Sequence, residues 1–269
     1  MEKVIHTVLH AGLEKPVKIL HVTDVHLVET NDRDTEEHKA LEIRRRGVFR
    51  AEGNFPPYTQ NEYFEEAVRM AEELDAVLMV TGDVMDIQTQ GNIAEFHRII
   101  DGHDAMFTPG GHEHQRICRR TMEEPDGYWI GARQRLKDAF PEFDMDFSSR
   151  VVNGLNIIAA DNSLDYFNAE TVRRFKAELE KGLPIVIFFH DPIWDHMLNV
   201  TEPTHPNVQL TPEDYATSHE MIDLINNHPL IVASIAGHGH VEAEKVVGKN
   251  RAFMTPGLYR GACRLIEIV

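Results

Sequence analysis

The feature that most constrains this chain is the repeated placement of aspartate and histidine directly after short apolar runs. Five strand-like runs lead into such polar segments: Val17–Val22, Ala76–Val80, Ala105–Phe107, Ile185–Phe189 and Leu230–Ile235. In open α/β sheets, groups at the carboxyl ends of neighbouring strands converge on one crevice. We therefore expect these five polar segments to meet in space.

The side chains in these segments are the kinds that bind divalent ions. Asp24 and His26 follow the first run at a spacing of two, and His238 and His240 follow the last run at the same spacing. Residues i and i+2 share one face of an extended chain, so both members of a pair can reach one point. The remaining segments contribute Asp83, Asp86, His112, Glu113 and His190. Carboxylate and neutral imidazole suit manganese, iron and zinc, so the pattern predicts a metal site.

The order of apolar patterns favours an α/β fold, because strand-like runs alternate with amphipathic helices. Helical periodicity covers Tyr63–Leu74 and Ala169–Leu179, and Thr211 before Pro212 is typical of a helix start. Near the C-terminus, Val241–Val247, Arg251–Met254 and Ala262–Val269 read as hairpin-connected strands, which predicts mixed parallel and antiparallel pairing. Without an internal repeat or a linker, residues 1–269 are expected to form a single domain.

Two segments do not follow this alternation. Glu29–Asn61 and Asp191–Leu210 are long and poor in apolar periodicity, and we expect both to be loops over the active site. The first contains Arg44, Arg45 and Arg46 in succession. Two readings of this basic run stay open, a contact with substrate phosphate and a solvated charged face.

Composition excludes several classes of protein. The formal net charge of −17 opposes binding to nucleic acid or to an anionic membrane. It does not oppose a small anionic substrate, because bound divalent cations can dominate the field of a cleft. Two cysteines without CxxC spacing make no disulfide framework, and neither a secretory signal nor a spanning apolar run is visible. We expect a cytoplasmic, reduced protein without a membrane association.

The ordered motifs resemble those of the calcineurin-like metallophosphoesterase superfamily. The resemblance runs from Val17 to the terminal strand and rests on five motifs: Asp24-x-His26, Gly82-Asp83-x-x-Asp86, Gly110-Gly111-His112-Glu113, His190 and Gly237-His238-x-His240. It implies a four-layer αββα sandwich, in which two mixed β-sheets are flanked by helices.

The resemblance also implies a role for each matching residue and two divalent metal ions as cofactors. One ion would be held by Asp24, His26 and His240, and the other by His190 and His238, with Asp83 bridging both. His112 would face the scissile phosphate, and Glu113 would orient His112 through a hydrogen bond. Asp86 would support the site rather than ligate a metal.

One position departs from the family pattern. The family usually has Asn, a ligand of the second metal, where this chain has Gly111. We therefore expect the second ion to be bound more weakly. His114 could replace the missing ligand, although a histidine in a loop or at a helix start is the simpler reading. His21, in the strand before Asp24, is expected to be a hydrogen-bonded core residue.

The function that the resemblance implies is hydrolysis of a phosphomonoester or phosphodiester by attack of a metal-bridging hydroxide. The expected partner is a small phosphate ester, with nucleotides among the candidates. The alternative is a non-catalytic scaffold with the same fold, which binds proteins. The sequence makes no prediction of oligomeric state.

Overall fold

The computed structural model describes residues 1–51, 59–115, 128–194 and 211–269. Within these ranges the chain forms strands and α-helices that we number separately in chain order. The strands are β1 Lys3–Leu9, β2 Val17–Val22, β3 Val77–Thr81, β4 Ala105–Thr108, β5 Phe147–Val152, β6 Leu155–Ala160, β7 Ile185–Phe188, β8 Ile231–Ala236, β9 Ala243–Val247, β10 Asn250–Met254 and β11 Ala262–Ile268. The helices are α1 Glu36–Ala51, α2 Gln60–Leu74, α3 Gln90–Ile100, α4 Tyr128–Ala139, α5 Ala169–Leu179 and α6 Pro212–Asn227.

The strands form two mixed sheets. The first has the order β1-β11-β2-β3-β4, with β2, β3 and β4 parallel and β11 antiparallel to β2. The second has the order β5-β6-β7-β8-β10-β9, with β6, β7, β8 and β10 parallel and the two edge strands antiparallel to their neighbours. The predicted mixture of pairing directions is therefore confirmed.

Successive side chains of the inner strands point to opposite faces of each sheet, and the apolar core is therefore divided into layers. Ile19 of β2 and Ile157 of β6 belong to one apolar cluster that lies between the two sheets. Leu20, the next residue of β2, faces a second cluster with Phe64 of α2, and Ile158 of β6 faces a third with α5 and α6. Because successive side chains of a strand point to opposite faces, each sheet is covered on both sides. The predicted four-layer αββα sandwich is confirmed.

Several helices begin at a capping residue that the sequence supplies. Thr59 and Glu62 form a capping box at the start of α2, and the Asn168 side chain caps α5. The predicted start of α6 is confirmed, because Thr211 accepts a hydrogen bond from the Asp214 amide and Pro212 occupies the first turn. Such caps satisfy amides that lack a partner within the helix.

The prediction that Glu29–Asn61 is a loop is wrong. Helix α1 occupies Glu36–Ala51, and α2 already begins at Gln60. The apolar pattern of α1 is weak because its buried residues, Leu41, Arg45 and Phe49, form one narrow stripe that includes an arginine. In the second predicted loop, residues 195–210 lie outside the described residues.

Two other expectations can be compared with the structure. No described helix combines the length and apolar character that a bilayer crossing requires. Cys263 is a buried free thiol, and burial raises its pKa to about 12. Cys118 lies outside the described residues.

Candidate metal centre

The predicted polar segments meet at the carboxyl edges of the two sheets. Backbone hydrogen bonds join the loop after β2 to the loop after β3, since the amides of Asp24 and His26 donate to the carbonyls of Gly82 and Asp83 at 3.0 and 2.9 Å. In the second sheet, the Gly237 amide donates to the His190 carbonyl at 3.0 Å. These loops are therefore fixed to one another by their main chains.

Most of the predicted ligands have an unusual backbone conformation. The φ angles are 52° at Asp24, 53° at His26, 50° at Asp83, 64° at His238 and 54° at His240. These angles lie in the left-handed region, which costs most L-residues roughly 1–2 kcal/mol and in which Asp, Asn and His are enriched among non-glycine residues. The tight turns bring consecutive ligand residues to one crevice, and strain of this kind clusters at functional sites.

Gly237 is required by close packing beside these turns. A Cβ atom at Gly237 would overlap Thr23 Oγ1 and lie 2.7 Å from Asp24 Oδ2. The absence of a side chain therefore lets the loop after β8 approach the Asp24 carboxylate. The adjoining His238 amide uses this approach to donate to Asp24 Oδ2 at 2.9 Å.

The first group of converging side chains consists of Asp24, His26 and His240. His240 Nε2 lies 2.9 Å from Asp24 Oδ1, and His26 Nε2 lies 3.3 Å from His240 Nε2 and 3.9 Å from Asp24 Oδ1. The Nδ1 atom of His26 donates to Asp86 Oδ1 at 3.1 Å. His26 Nε2 is then the unprotonated nitrogen, with its lone pair directed at the centre of the group.

The second group consists of Asp83, His190 and His238. His190 Nδ1 donates to the Thr81 carbonyl at 2.9 Å, so Nε2 is the ring nitrogen that faces Asp83 Oδ2, at 3.2 Å. The His238 side chain is 47% exposed, and its Nδ1 lies 3.0 Å from Asp191 Oδ1. The two groups bring together the residues that the family resemblance implies as ligands, with Asp83 in the second group.

Two buried atoms indicate that cations fit this centre. Within the described parts of the chain, neither Asp24 Oδ1 nor His190 Nε2 has a hydrogen-bond partner. Burial lowers the pKa of His190, but the Asp83 carboxylate outweighs this effect and raises that pKa well above its usual range. Burial raises the pKa of Asp24, but the adjacent His240 outweighs this effect and lowers that pKa. Both directions show an environment that favours positive charge between these side chains.

His112 lies beside both groups. Its Nδ1 donates to the Asp86 carbonyl at 2.8 Å, and its Nε2 lies 3.9 Å from Asp83 Oδ2. Its backbone amide donates to Asp83 Oδ1 at 2.9 Å, and its ring makes an edge contact with His26 at 4.8 Å between centroids. Nε2 is consequently the nitrogen that faces the centre.

The predicted hydrogen bond from Glu113 to His112 is wrong. The fully buried Glu113 carboxylate accepts instead from the backbone amides of Asp83 and Gly110, at 2.9 and 2.7 Å, and of Met85, at 2.9 Å. Burial, followed by the charge of Asp83, raises the Glu113 pKa to about 7. Glu113 therefore fixes the loops after β3 and β4 rather than the His112 ring.

Asp86 lies beside the first group and also converges with His26 and His112 in a further group of possible ligands. Its carboxylate accepts from His26 and also from Arg45, whose Nε and Nη2 lie 2.5 and 2.8 Å from its two oxygens. Arg45 is 8% exposed, so the solvated-face reading is wrong for this member of the basic run. Its neighbour Arg46 pairs with Glu29 and Glu42.

Gly111, the position that departs from the family pattern, has space beside it for a side chain. A Cβ atom at Gly111 would meet nothing closer than the Ser163 carbonyl at 3.8 Å and Gln115 Nε2 at 3.9 Å. His114 Nε2 lies 2.9 Å from Ser163 Oγ, and His114 does not belong to any converging ligand group of the described residues. The structure therefore gives no support to His114 as a substitute ligand.

Sequence reasoning missed two supporting residues of the centre. Asn162, in the loop after β6, accepts from the amides of His190 and Asp191 and donates to the Asp191 carbonyl. The Tyr259 hydroxyl lies 3.2 Å from His240 Nδ1. Asn162 follows a strand-like run and an aspartate, which is the same signal that identified the other segments.

His21 is a satisfied core histidine, as expected. Its two ring nitrogens each lie 2.7 Å from a threonine hydroxyl, one of Thr255 and one of Thr81. It is fully buried, and burial followed by the charge of Arg264 lowers its pKa to about 3.

Comparison with solved structures finds several chains of low sequence identity. A Staphylococcus aureus protein described as a 5′-nucleotidase has 12% identity and a TM-score of 0.46, over 91% of this chain and 49% of its own. The present chain thus spans about half the length of that protein. A phosphopantetheinyl hydrolase from Mycobacterium tuberculosis has 13% identity and a TM-score of 0.46, over 96% and 92%. GAP50, described as the anchor in the inner membrane complex of Plasmodium, has 11% identity and a TM-score of 0.43, over 90% and 71%.

Family membership follows from the sequence match and the observed layers together. Comparison with curated proteins gives no match. The family model for calcineurin-like phosphoesterases, by contrast, matches residues 17–242, which is most of the chain and includes all six predicted ligands. This chain belongs to the calcineurin-like phosphoesterase family.

Proposed function

We propose that this protein hydrolyses a small phosphomonoester or phosphodiester, with hydroxide as the nucleophile and two divalent ions in the centre. The observation that carries the proposal is the convergence of two Asp/His groups, each with its ligand atoms within 4.8 Å of one another. The proposal is also supported by Asp24 Oδ1 and His190 Nε2, which are buried and make no hydrogen bond among the described residues. Such an atom destabilises the protein unless a ligand binds to it. Asp83 is proposed to belong to both ion sites.

Bound divalent ions supply Lewis-acid chemistry, since they lower the pKa of water and neutralise charge on phosphate oxygens. The protein positions the reacting groups around them. In its doubly protonated form, His112 is proposed to donate the Nε2 proton to the leaving oxygen, while Nδ1–H stays bound to the Asp86 carbonyl. A well-placed acid of this kind typically contributes roughly 10²–10⁴-fold to the rate.

The net charge of the chain bears on the size of the proposed substrate. The net charge of −17 disfavours long polyanions such as nucleic acid, so a small ester is the proposed substrate, and a nucleotide is one candidate. Manganese, iron and zinc all suit the mixed imidazole and carboxylate ligands. Metal analysis of the purified protein identifies the ion.

The test is hydrolysis of p-nitrophenyl phosphate and bis-p-nitrophenyl phosphate by chelated protein to which manganese is returned. We expect release of nitrophenol that depends on the added ion.

We expect His112→Ala to lose about 10²-fold or more in kcat while it keeps its bound metal. Asp83→Ala should lose both activity and metal. Metal-bound protein that turns over neither ester would contradict the proposal and favour the non-catalytic scaffold.

A further inference from the structure

A buried arginine of helix α1 contacts the residues of the candidate metal centre. Arg45 is 8% exposed and Asp86 is fully buried, and the guanidinium binds both oxygens of the carboxylate. This two-point arrangement fixes the plane of the carboxylate as well as its position, which a single hydrogen bond does not do. The family motif contains Asp86 but does not extend to α1.

The carboxylate that Arg45 holds is in turn the acceptor for His26. His26 Nδ1 donates to Asp86 Oδ1 at 3.1 Å, and this bond selects the tautomer in which Nε2 is unprotonated. Nε2 is the atom directed at Asp24 and His240. Metal-ligating histidines depend on such a partner at the other ring nitrogen for their orientation and basicity.

Aromatic packing fixes the same side of the centre to α1. Phe49, one turn after Arg45, lies under the guanidinium at 4.9 Å and contacts the rings of His26 and Tyr259 at 5.5 and 5.3 Å between centroids. Leu41, one turn before Arg45, packs on Ile87, the residue after Asp86. The buried stripe of α1 is therefore directed at Asp86 and His26.

We propose that Arg45 is a positioning residue, whose two-point grip on Asp86 holds His26 in the tautomer and orientation that bind a divalent ion. The inference rests on the proposed function insofar as Asp24, His26 and His240 hold that ion. Helix α1, which lies outside the family motifs, would then help to position a metal ligand.

The first experiment measures cobalt affinity of chelated protein by calorimetric and visible-absorption titration. The ion of the first group is identified as the one lost in Asp24→Asn. We expect Arg45→Met to lower the affinity for this ion about 10- to 100-fold, the range found when a supporting partner of a metal ligand is removed. Arg46→Met is the matched control, since it removes the same charge from the adjacent residue, which pairs with Glu29 and Glu42.

A control for general destabilisation comes from the same helix. Leu41→Ala removes packing of α1 on Ile87 without removing a contact to Asp86. We expect it to lower the melting temperature while it keeps the cobalt affinity near that of the native protein. Equal loss of affinity in Leu41→Ala and Arg45→Met would overturn the positioning role, because the docking of α1 alone would then explain the effect.

The second experiment needs no metal. Nitrogen-15 NMR of the metal-free protein reports the tautomer of His26, with the signal assigned by its loss in His26→Gln. We expect a single Nδ1-protonated tautomer in the native protein and a mixture in Arg45→Met. An unchanged tautomer together with unchanged cobalt affinity would overturn the inference.

Two further outcomes are informative. Should Arg45→Met fail to fold, Arg45→Lys replaces it, because lysine keeps the charge and loses the two-point grip. Native cobalt affinity in Arg45→Lys would overturn the inference. Failure of the native protein to bind cobalt would instead contradict the proposed function, and the tautomer measurement would still test the contact of Arg45 with Asp86 and His26.

Discussion

Gly111 has an ordinary helical backbone conformation, with φ −64° and ψ −35°, and open space beside it. Any residue can therefore be placed there without backbone strain. The second ligand group has three protein side chains, of which His238 is 47% exposed. A side chain with a ligand oxygen at this position would be expected to complete that group.

We predict that Gly111→Asn raises the affinity for the ion of the second group by about tenfold or more, which corresponds to about 1.4 kcal/mol. The physical reason is the added amide oxygen, and equilibrium dialysis with manganese measures the effect. Gly111→Ala is the control, since it adds a Cβ atom without a ligand. Equal affinities in the two variants would show that the open space does not lie beside the ion.

His21 makes a prediction about pH. The folded pKa of His21 is about 3, below the usual histidine value of 6.5, so between these limits the unfolded chain binds more protons than the folded one. Stability therefore falls as the pH decreases from about 6.5 towards 3, by at most about 1.4 kcal/mol per pH unit from this residue.

The measurement is the free energy of unfolding in urea across this range, in the presence of a chelator. We expect His21→Gln to be less stable at neutral pH and to show a smaller slope with pH. His6→Gln removes an exposed histidine from β1 and should keep the native slope. A native slope in His21→Gln would mean that other groups cause the acid sensitivity.

At single positions, a role could be predicted from the sequence where a metal-type side chain directly follows an apolar run. Asp24 and His240 could be predicted because metal-type side chains directly follow apolar runs. Arg45 could not, because a basic residue in a charged segment is usually solvated and its partner Asp86 lies 41 positions further along the chain. Glu113 was recognised, but its partners are backbone amides, which have no residue-specific signal.

At the level of elements, the loops after β6 and β7 are joined by one side chain. Asn162 Oδ1 accepts from the amides of His190 and Asp191 at 3.1 and 3.0 Å, and its Nδ2 donates to the Asp191 carbonyl at 2.7 Å. The side chain is buried, so these backbone groups would lose their partner if it were removed. The position of His190 thus depends on a neighbouring strand.

We predict that Asn162→Leu lowers the free energy of unfolding by about 2–4 kcal/mol, since buried polar groups are left unsatisfied. It should also weaken the ion held by the second group, which calorimetric titration measures. Asn156→Leu is the matched control, because Asn156 is a buried residue of β6, the strand that precedes Asn162, and donates to Glu178. Comparable loss of ion affinity in both variants would contradict a local effect of Asn162.

The elements themselves were predicted unevenly. The sequence predicts the inner strands β2, β3, β7 and β8 to within one or two residues, because strands covered on both faces are continuous apolar runs. The edge strands β1 and β5 were missed, since they alternate between buried and exposed residues within polar surroundings. Helix α1 was missed because tertiary contacts with Asp86 and the metal centre, rather than apolar periodicity, hold it in place.

At the scale of the whole molecule, the centre joins both sheets. The first sheet supplies Asp24, His26 and Asp83, and the second supplies His190, His238 and His240. An ion bound between them interacts with the folded state and lacks its assembled site in the unfolded chain. Ion binding is therefore expected to stabilise the entire sandwich.

We predict that manganese at 100 times its Kd raises the free energy of unfolding by about 2.7 kcal/mol per site. For a chain of this size that corresponds to a rise of about 5–10 °C in Tm, and a chelator should reverse it. Differential scanning calorimetry measures the shift, and Asp83→Asn should reduce it. A Tm that is the same with chelator and with manganese would argue against a site shared by the two sheets.

The turns with positive φ at Asp24, His26 and Asp83 lie in loops that main-chain hydrogen bonds join to one another. Because these bonds form without an ion, we expect most of the entropy of ordering the ligands to be lost during folding. Stripping and reloading should then proceed through the native state, without a refolding step. A cell could exchange one ion for another in the finished protein, so the identity of the resident metal would follow local supply as well as ligand preference.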